Sequence, residues 1–322
     1  MTESAPRRAL IQTAPAPRRP PIQTAPAPRR ALIQMIAGAA LISTTSIFVR
    51  WAHVAPTTSA FYRMLFGGIM LLALLLVRRE WRRISVSDLV WLIIPALAFA
   101  ADLIIWHRSI LYIGPGLATL VGNFQVFIMA VVGVVFYREH LSPRFILGLA
   151  VALVGLWLLV GVDWNSFTPQ FRVGVYLGLL TGVAYAAFLL SLRRVQLRRV
   201  HLDASQVLCL NSLLCAAVLA IVVGIEGSGY AIPDSQTWAA LLGLGLFGQV
   251  LGWVLIARAM PLLPASLVGL LLLLQPMLSF VLDVIVFARP TSGLDWIGLA
   301  LSLFGIFIGS VRSPTPPAAK AA

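Results

Sequence analysis

Apolar residues in this chain come in long blocks, and polar residues mark the gaps between them. Ten blocks stand out, at approximately 32–51, 57–77, 89–110, 115–137, 142–161, 172–192, 204–226, 237–258, 264–288 and 293–312. A hydrocarbon core of about 30 Å takes around 20 apolar residues per helix, so each block has the length of one crossing. The links are short: HVAPT (53–57), IGPG (113–116) and EHLSP (139–143). Their Pro and Gly residues predict helix stops. Ten crossings leave no segment large enough for a soluble domain.

Sliding residues 106–161 over 256–311 without gaps aligns Arg108 with Arg258, Gln125 with Gln275 and Ser142 with Ser292. It also aligns Gly148 with Gly298, Ala150 with Ala300 and Gly155 with Gly305. Apolar composition alone would match Leu and Val but would not readily align Arg, Gln and Gly. Five is an odd number, so a second half built like the first enters the membrane from the opposite side. The expected fold is therefore an all-α integral membrane protein, ten transmembrane helices arranged as two inverted five-helix repeats. The expected organisation is a disordered basic Pro/Ala-rich tail (1–30), a first repeat (31–162), a second repeat (172–312) and a short disordered tail (313–322). The first tail repeats itself, RRALIQTAPAP, RRPPIQTAPAP and RRALIQM, and has no apolar face to bury.

Composition supports a lipid solvent. Mean hydropathy is +0.93, and only 11% of the 322 residues are charged, too few for the surface of a soluble protein of this size. The net charge of +13 would suggest nucleic acid on a soluble chain. Here the arginines lie between apolar runs, and no nucleic-acid partner is expected. With the N-terminus inside, one side receives Arg78, Arg79, Arg82, Arg83, Arg138, Arg144, Arg193, Arg194, Arg198, Arg199, Arg258 and Arg312 besides the tail. The other receives Arg50, Arg108, Arg172 and Arg289. The positive-inside rule then places both termini in the cytoplasm of a cell with an inner (cytoplasmic) membrane. Cys209 and Cys215 share one apolar block, nearly two helical turns apart, which suits packing residues and not a disulfide.

Several motifs resemble the drug/metabolite transporter superfamily, in its EamA-type branch with two repeats of five helices. They are ISTTSIFVRWAHVAPTTSAFYR (42–63), LATLVGNFQVF (117–127) with its second copy LLLLLQPMLSF (270–280), and EHLSPRFILGLAVALVGLWLLVG (139–161). The resemblance spans about 31–312. Glu139 matches the family's acidic residue at the start of the fifth helix; Arg289 and Pro290 replace that pattern in the second half. Val126 stands where the family has a proline, and Pro276 keeps it. The resemblance implies a secondary transporter that moves small organic metabolites by alternating access, with export of amino acids or related compounds foremost. The alternatives are a drug-efflux or uptake carrier, or a membrane receptor or scaffold that transports nothing.

Ionisable residues at membrane depth are costly and usually face a bundle interior or a cavity. Arg63, Asp102 and Asp283 share the outer half. They suit a charged vestibule for a zwitterionic or anionic solute, or a structural ion pair such as Arg63 with Asp102. Asn123, Gln125, Gln249 and Gln275 lie near mid-membrane, as do Asn211 and the run Ser43–Ser46. Such groups either hydrogen-bond a solute or bridge helices. The matched pair Gln125 and Gln275 is assigned to the cavity, with Trp106, Tyr185 and Trp253 as its walls. Trp51, Trp81, Trp91, Trp164 and Trp238 fit an interfacial belt. Gly174, Gly178 and Gly182, and the pairs 148/155 and 298/305, predict close helix packing. Glu139, with Arg138, His140 and Arg144, reads first as a cap on helix five and second as a cytoplasmic gate. His53, His107, His140 and His201 fall near span ends as tolerated polar residues. No hydrolase, Walker or metal-spaced motif occurs. The expectations are no enzyme, no cofactor and no metal; partners are a small solute, the lipid bilayer and protons as candidate coupling ion, with Asp102 as the proton site. Monomer and homodimer both stay open.

Overall fold

A computed structural model describes residues 29–160, 168–198, 202–288 and 291–310. Nearly all of the two expected tails, Trp164, His201, Arg289 and Pro290 lie outside the described residues, as does the side chain of Asp283. Every regular element among the described residues is helical. In chain order they are α1 (Arg29–Ser43), α2 (Thr45–Trp51), α3 (Pro56–Val77), α4 (Val86–Gly122) and α5 (Gln125–Tyr137). Then come α6 (Pro143–Val160), α7 (Pro169–Arg198), α8 (Ala204–Glu226) and α9 (Ser235–Gly243). A π-helical stretch, Leu244–Gly252, leads into α10 (Trp253–Ala259) and a short 3-10 turn (Met260–Leu262). The chain closes with α11 (Ala265–Leu272), α12 (Leu274–Phe287) and α13 (Gly293–Ser310).

Seven of the resulting rods are long and apolar enough to cross a membrane: Arg29–Trp51, Pro56–Val77, Val86–Ile113, Pro169–Arg198, Ala204–Glu226, Ser235–Leu262 and Ala265–Phe287. Gln125–Tyr137, Pro143–Gly155 and Trp296–Gly309 are shorter apolar helices. The expected stop at IGPG does not interrupt α4, which runs on to Gly122. The real interruption comes later, at Asn123 and Phe124. A second one falls at Leu273, 150 residues after Asn123, between α11 and α12. The same spacing recurs at the helix ends. Arg138 ends α5 in the left-handed conformation (φ 52°), and Ala288 ends α12 likewise (φ 49°).

Glycines decide which helices touch. Along α7, Gly174 lies against Tyr112 and Ile113, Gly178 against Val121, and Gly182 against the Gly122 carbonyl. These contacts draw α4 and α7 together, with Ser109 donating to the Gly174 carbonyl at 2.8 Å. The α6–α13 crossing is equally close. A methyl group on Gly155 would meet the Gly298 carbonyl and Ser302, and one on Gly305 would meet the Gly148 carbonyl and Ala152. Ser302 donates to the Ala152 carbonyl at 3.0 Å. Lipid offers no hydrophobic drive between helices, so such close backbone approach and its dispersion gain hold the pairs together. Elsewhere α3 packs on α8 and on the π-helical stretch, α1 on α10, and α5 on α11. The two ends of the bundle are cross-tied. At one end Gln206 donates to the Arg82 carbonyl and Gln196 to the Ala257 carbonyl. At the other, Tyr62 donates to the Tyr230 carbonyl, Thr58 to the Gly229 carbonyl, and His53 meets Asp234 at 2.9 Å. They are called below the Arg29 end and the Trp51 end.

Candidate functional site

A cavity of about 610 Å³, its mouth included, lies among α1/α2, α3, α4, α7, α10 and α12. Its lining comes from helical stripes. Phe99, Asp102 and Trp106 recur at three- and four-residue steps on α4, as do Thr181 and Tyr185 on α7, and Gln275 and Ser279 on α12. The interruption at Asn123 puts Gly122 and Asn123 on the wall, and the α1/α2 junction adds Thr45 and Ser46. That junction is loosened by its own hydroxyls: Ser43, Thr44 and Thr45 donate to the carbonyls three residues back, at 2.6–2.7 Å. Such back-bonding competes with the helical ladder. The carbonyl of Ser43 accepts from Ser279 of α12 at 3.0 Å.

Two opposite charges face this space. Arg63 is 4% exposed and Asp102 6% exposed. Arg63 Nε has no hydrogen-bond partner. Among the described residues neither group forms an ion pair within 4.0 Å, with the other or with any third residue. The Arg63–Asp102 ion pair, one of the two readings of these residues, is therefore not made. The guanidinium sits instead 5.9 Å from the Phe99 ring centroid. Phe99 stacks on Phe188 at 4.1 Å, and Trp253 stands edge-on to both, at 5.5 and 5.0 Å. Tyr185 closes the group at 6.2 Å from Trp253. The chemistry on offer is one cation, one carboxylate, two amides and an aromatic floor.

Seven of the ten residues picked from sequence line the cavity: Arg63, Asp102, Trp106, Asn123, Tyr185, Trp253 and Gln275. Gln125 and Gln249 do not. Gln125 is fully buried away from the cavity, where Gly182 draws the start of α5 against α7, and neither amide atom has a protein partner. Gln249 bridges helices: it packs on Gly67 and donates to Ser212 at 2.7 Å. Asp283 lies in α12 with its side chain outside the described residues. Phe99 and Phe188 were missed. The signal was their stripe, three residues before Asp102 and three after Tyr185. The sequence suggests for His107 a tolerated polar residue near a span end. It is buried, with Nδ1 at 2.6 Å from the Leu103 carbonyl.

Glu139 corrects another expectation. Helix α6 is capped by Ser142, whose hydroxyl accepts from Phe145 N at 3.1 Å. Glu139 reaches across the bundle to α11. Its carboxylate accepts from Ala265 N (2.7 Å), Ser266 N (3.1 Å) and the Ser266 hydroxyl (2.8 Å).

Long apolar helices around a polar, charged cavity define the class of a multi-pass membrane transporter. The EamA-like transporter family model matches the chain over residues 29–161 and again over 172–311. The chain belongs to the EamA-like transporter family, within the drug/metabolite transporter superfamily. It is 26% identical over 163 residues to an uncharacterized transporter of Haemophilus influenzae, covering 49% of this chain and 52% of that one. It is 24% identical over 189 residues to the uncharacterized transporter YetK of Bacillus subtilis, covering 58% and 56%. The chain thus spans about half the length of these two relatives. With the uncharacterized inner membrane transporter YhbE of Escherichia coli K12 the match is 26% over 245 residues, covering 73% and 74%. A crystal structure of a protein, at 21% identity and a TM-score of 0.72, covers 88% of this chain and 96% of its own, and shares the fold.

Proposed function

We propose that this transporter carries small zwitterionic metabolites, amino acids or related compounds, across the cytoplasmic membrane by alternating access. The observation that carries this reading is that Arg63 and Asp102, groups of opposite charge when ionised, line one cavity without pairing with each other. Charges in a membrane interior cost several kcal/mol each unless complemented. A salt bridge between them would be the economical structural solution, and it is not made. A solute carboxylate on Arg63 and a solute ammonium on Asp102 complement both, and a buried guanidinium favours planar, bidentate carboxylate recognition. Asn123 and Gln275 add hydrogen bonds, and Phe99, Tyr185 and Trp253 accept an apolar body.

The reading rests on ten crossings in two inverted halves, 31–162 and 172–312. Recurrence at a spacing of 150 supports it: interruptions at Asn123 and Leu273, left-handed helix ends at Arg138 and Ala288, and reciprocal contacts across α6–α13. Interrupted helices near the bilayer midplane are common in substrate sites of inverted-repeat carriers. The arginine distribution favours cytoplasmic termini, and YhbE, by its name, is an inner membrane transporter. Protons as coupling ion, through Asp102, belong to the same reading. Drug efflux is less well matched, since a purely hydrophobic cargo leaves both charges uncomplemented.

Purified protein in proteoliposomes tests it. Counterflow with radiolabelled amino acids is compared with the matching amines and the matching carboxylic acids. The zwitterion is expected to be preferred at least tenfold over either half. Asp102→Asn should erase discrimination against the acid, and Arg63→Gln should erase it against the amine. Equal flux of all three solutes in the unaltered protein refutes the zwitterion, and no flux of any refutes the carrier.

A further inference from the structure

Helices α5 and α11 pack on one another toward the Arg29 end of the bundle. Gly269 of α11 lies against Val126 and Met129 of α5, 3.0 Å from Met129 Cβ if a methyl were added. Beyond this apolar contact sits Glu139. The chain reaches it through the left-handed turn at Arg138, which returns the Glu139 N–H to the Gly133 carbonyl at 2.9 Å. Gly133 leaves room for the returning carboxylate, because a methyl there would collide with Glu139 Oε2. The carboxylate then fills the first turn of α11, with the three hydrogen bonds given above. Arg193 of α7 completes the cluster. It is 8% exposed, lies 3.9 Å from Glu139 Oε1, donates to the Leu263 carbonyl at 2.9 Å, and stands over the Tyr137 ring.

We propose that Glu139 is a gate-positioning residue: its carboxylate latches α5 to α11 and holds the Arg29 end of the transport path shut. The inference rests on the transport reading above. Its physical basis is a balance that an apolar contact alone lacks. Closed, the carboxylate satisfies donors at a helix N-terminus, where negative charge is favoured. Parted, the carboxylate, the two N–H groups and the Arg193 guanidinium all gain water, which offsets much of the loss. Such a latch is firm yet reversible. It is also one-sided. The left-handed turn recurs at Ala288, but the next residue in sequence is Arg289, a cation that cannot accept N–H hydrogen bonds. The carboxylate latch therefore has no counterpart in sequence at the Trp51 end, and it biases the protein toward closure at the Arg29 end.

The test uses the full-length protein in detergent, where both ends meet reagent, with Cys209→Ala and Cys215→Ala as background. Met129→Cys reports the α5–α11 contact, and Ser46→Cys reports the cavity wall. Glu139→Ala should raise the labelling rate of the Met129→Cys reporter by a small charged thiol reagent about tenfold. It should slow labelling of the Ser46→Cys reporter. Glu139→Gln should fall between, and Ser266→Ala, which removes only the hydroxyl bond, should shift both rates the same way by about two- to threefold. Opposite movement of the two reporters supports a latch. Unchanged rates, or a parallel rise at both, overturn it, because a cap that only stabilises the fold would loosen both sites together or neither. Proteoliposome flux on the same variants separates the two proposals: opposite label shifts without solute flux in any variant uphold the latch and refute the carrier.

Discussion

Two glycine-to-alanine changes should move stability in opposite directions, and the geometry sets both signs. Glycine inside a helix is about 0.5–1 kcal/mol less favourable than alanine, so a methyl group gains that much wherever space allows. Gly224, in the last turns of α8, has such space: the nearest atom to an added Cβ is the Tyr230 hydroxyl at 3.5 Å. Gly305 of α13 does not. An added Cβ would lie 2.5 Å from the Gly148 carbonyl oxygen and 2.8 Å from Ala152 Cα, with the Ala152 nitrogen closer still. Carbon contacts settle at about 3.5–4.0 Å, and these neighbours are backbone atoms that cannot rotate away. Helices α6 and α13 would have to part by roughly 1 Å, straining the Ser302 to Ala152 hydrogen bond. Overpacking of this kind costs about 1–3 kcal/mol, and a weakened hydrogen bond adds about 1 kcal/mol. Against the alanine gain, the net loss is about 1–3 kcal/mol. At about 2–4 °C per kcal/mol, Gly305→Ala should lower the thermal midpoint by several degrees. Gly224→Ala should raise it by about 1–3 °C. The assay is thermal unfolding of matched detergent preparations, followed by loss of the monodisperse peak. A Gly305→Ala protein as stable as the parent would refute the close α6–α13 crossing.

Three further outcomes are expected. Gln125→Leu removes a buried amide without protein partners, so the thermal midpoint should hold or rise by a few degrees. Flux per folded molecule should stay within about twofold; a tenfold loss would return Gln125 to the cavity. At the loop caps, burial pushes the Asp203 carboxyl up, but the Ser205 N–H and hydroxyl and Arg258 outweigh it and leave it below the usual carboxylate value. The Thr237 N–H and His53 lower Asp234 in the same way. A lowered folded-state pKa adds stability above the unfolded value, near pH 4, and that stability is lost as pH falls through the lowered value. Amide exchange at Ser205 and Thr237 should therefore quicken below about pH 4 beyond the intrinsic trend, and Asp203→Asn or Asp234→Asn should abolish the local pH dependence. For topology, a cysteine at position 82 or 196 should resist impermeant thiol reagents in intact cells; labelling there would reverse the orientation.

Much of the architecture was legible because it depends on local properties. Apolar runs of membrane length became helices, and the glycines spaced by seven at 148/155 and 298/305 became the α6–α13 crossing. A glycine advertises close approach by what it lacks, whatever its partner. Helix azimuth was not legible. Gln125 and Gln275 occupy equivalent positions in sequence, yet only Gln275 lines the cavity. Their neighbours differ where it matters. Pro276, in the first turn of α12, donates no hydrogen bond across the interruption at Leu273, whereas Val126 N donates to the Asn123 carbonyl at 3.0 Å. The two amides thus leave matching interruptions along different paths. The π-helical stretch Leu244–Gly252 had the same effect on Gln249. Its wider turn accompanies packing on Gly67 and Ser212, and no apolar periodicity announced it.

Glu139 shows the other limit of reading charge from sequence. Its own neighbourhood, a carboxylate shortly before a helix, has the pattern of a local cap, and the chain supplies a helix in the expected place. Ser142 takes that role, because a hydroxyl three residues before Phe145 has the shorter and more local path to the first turn. The freed carboxylate then reaches donors 126 residues away, a partnership that only tertiary packing could select. The change from Glu139 to Arg289 between the halves follows from the same physics. Acceptors belong at a helix N-terminus and cations do not, so a sequence that follows the left-handed residue with an arginine instead of a carboxylate gives up the latch. On the proposed latch, the Arg29 end has a carboxylate tie that the sequence does not repeat after Ala288, and a carrier needs such an inequality if one of its end states is to be the resting one.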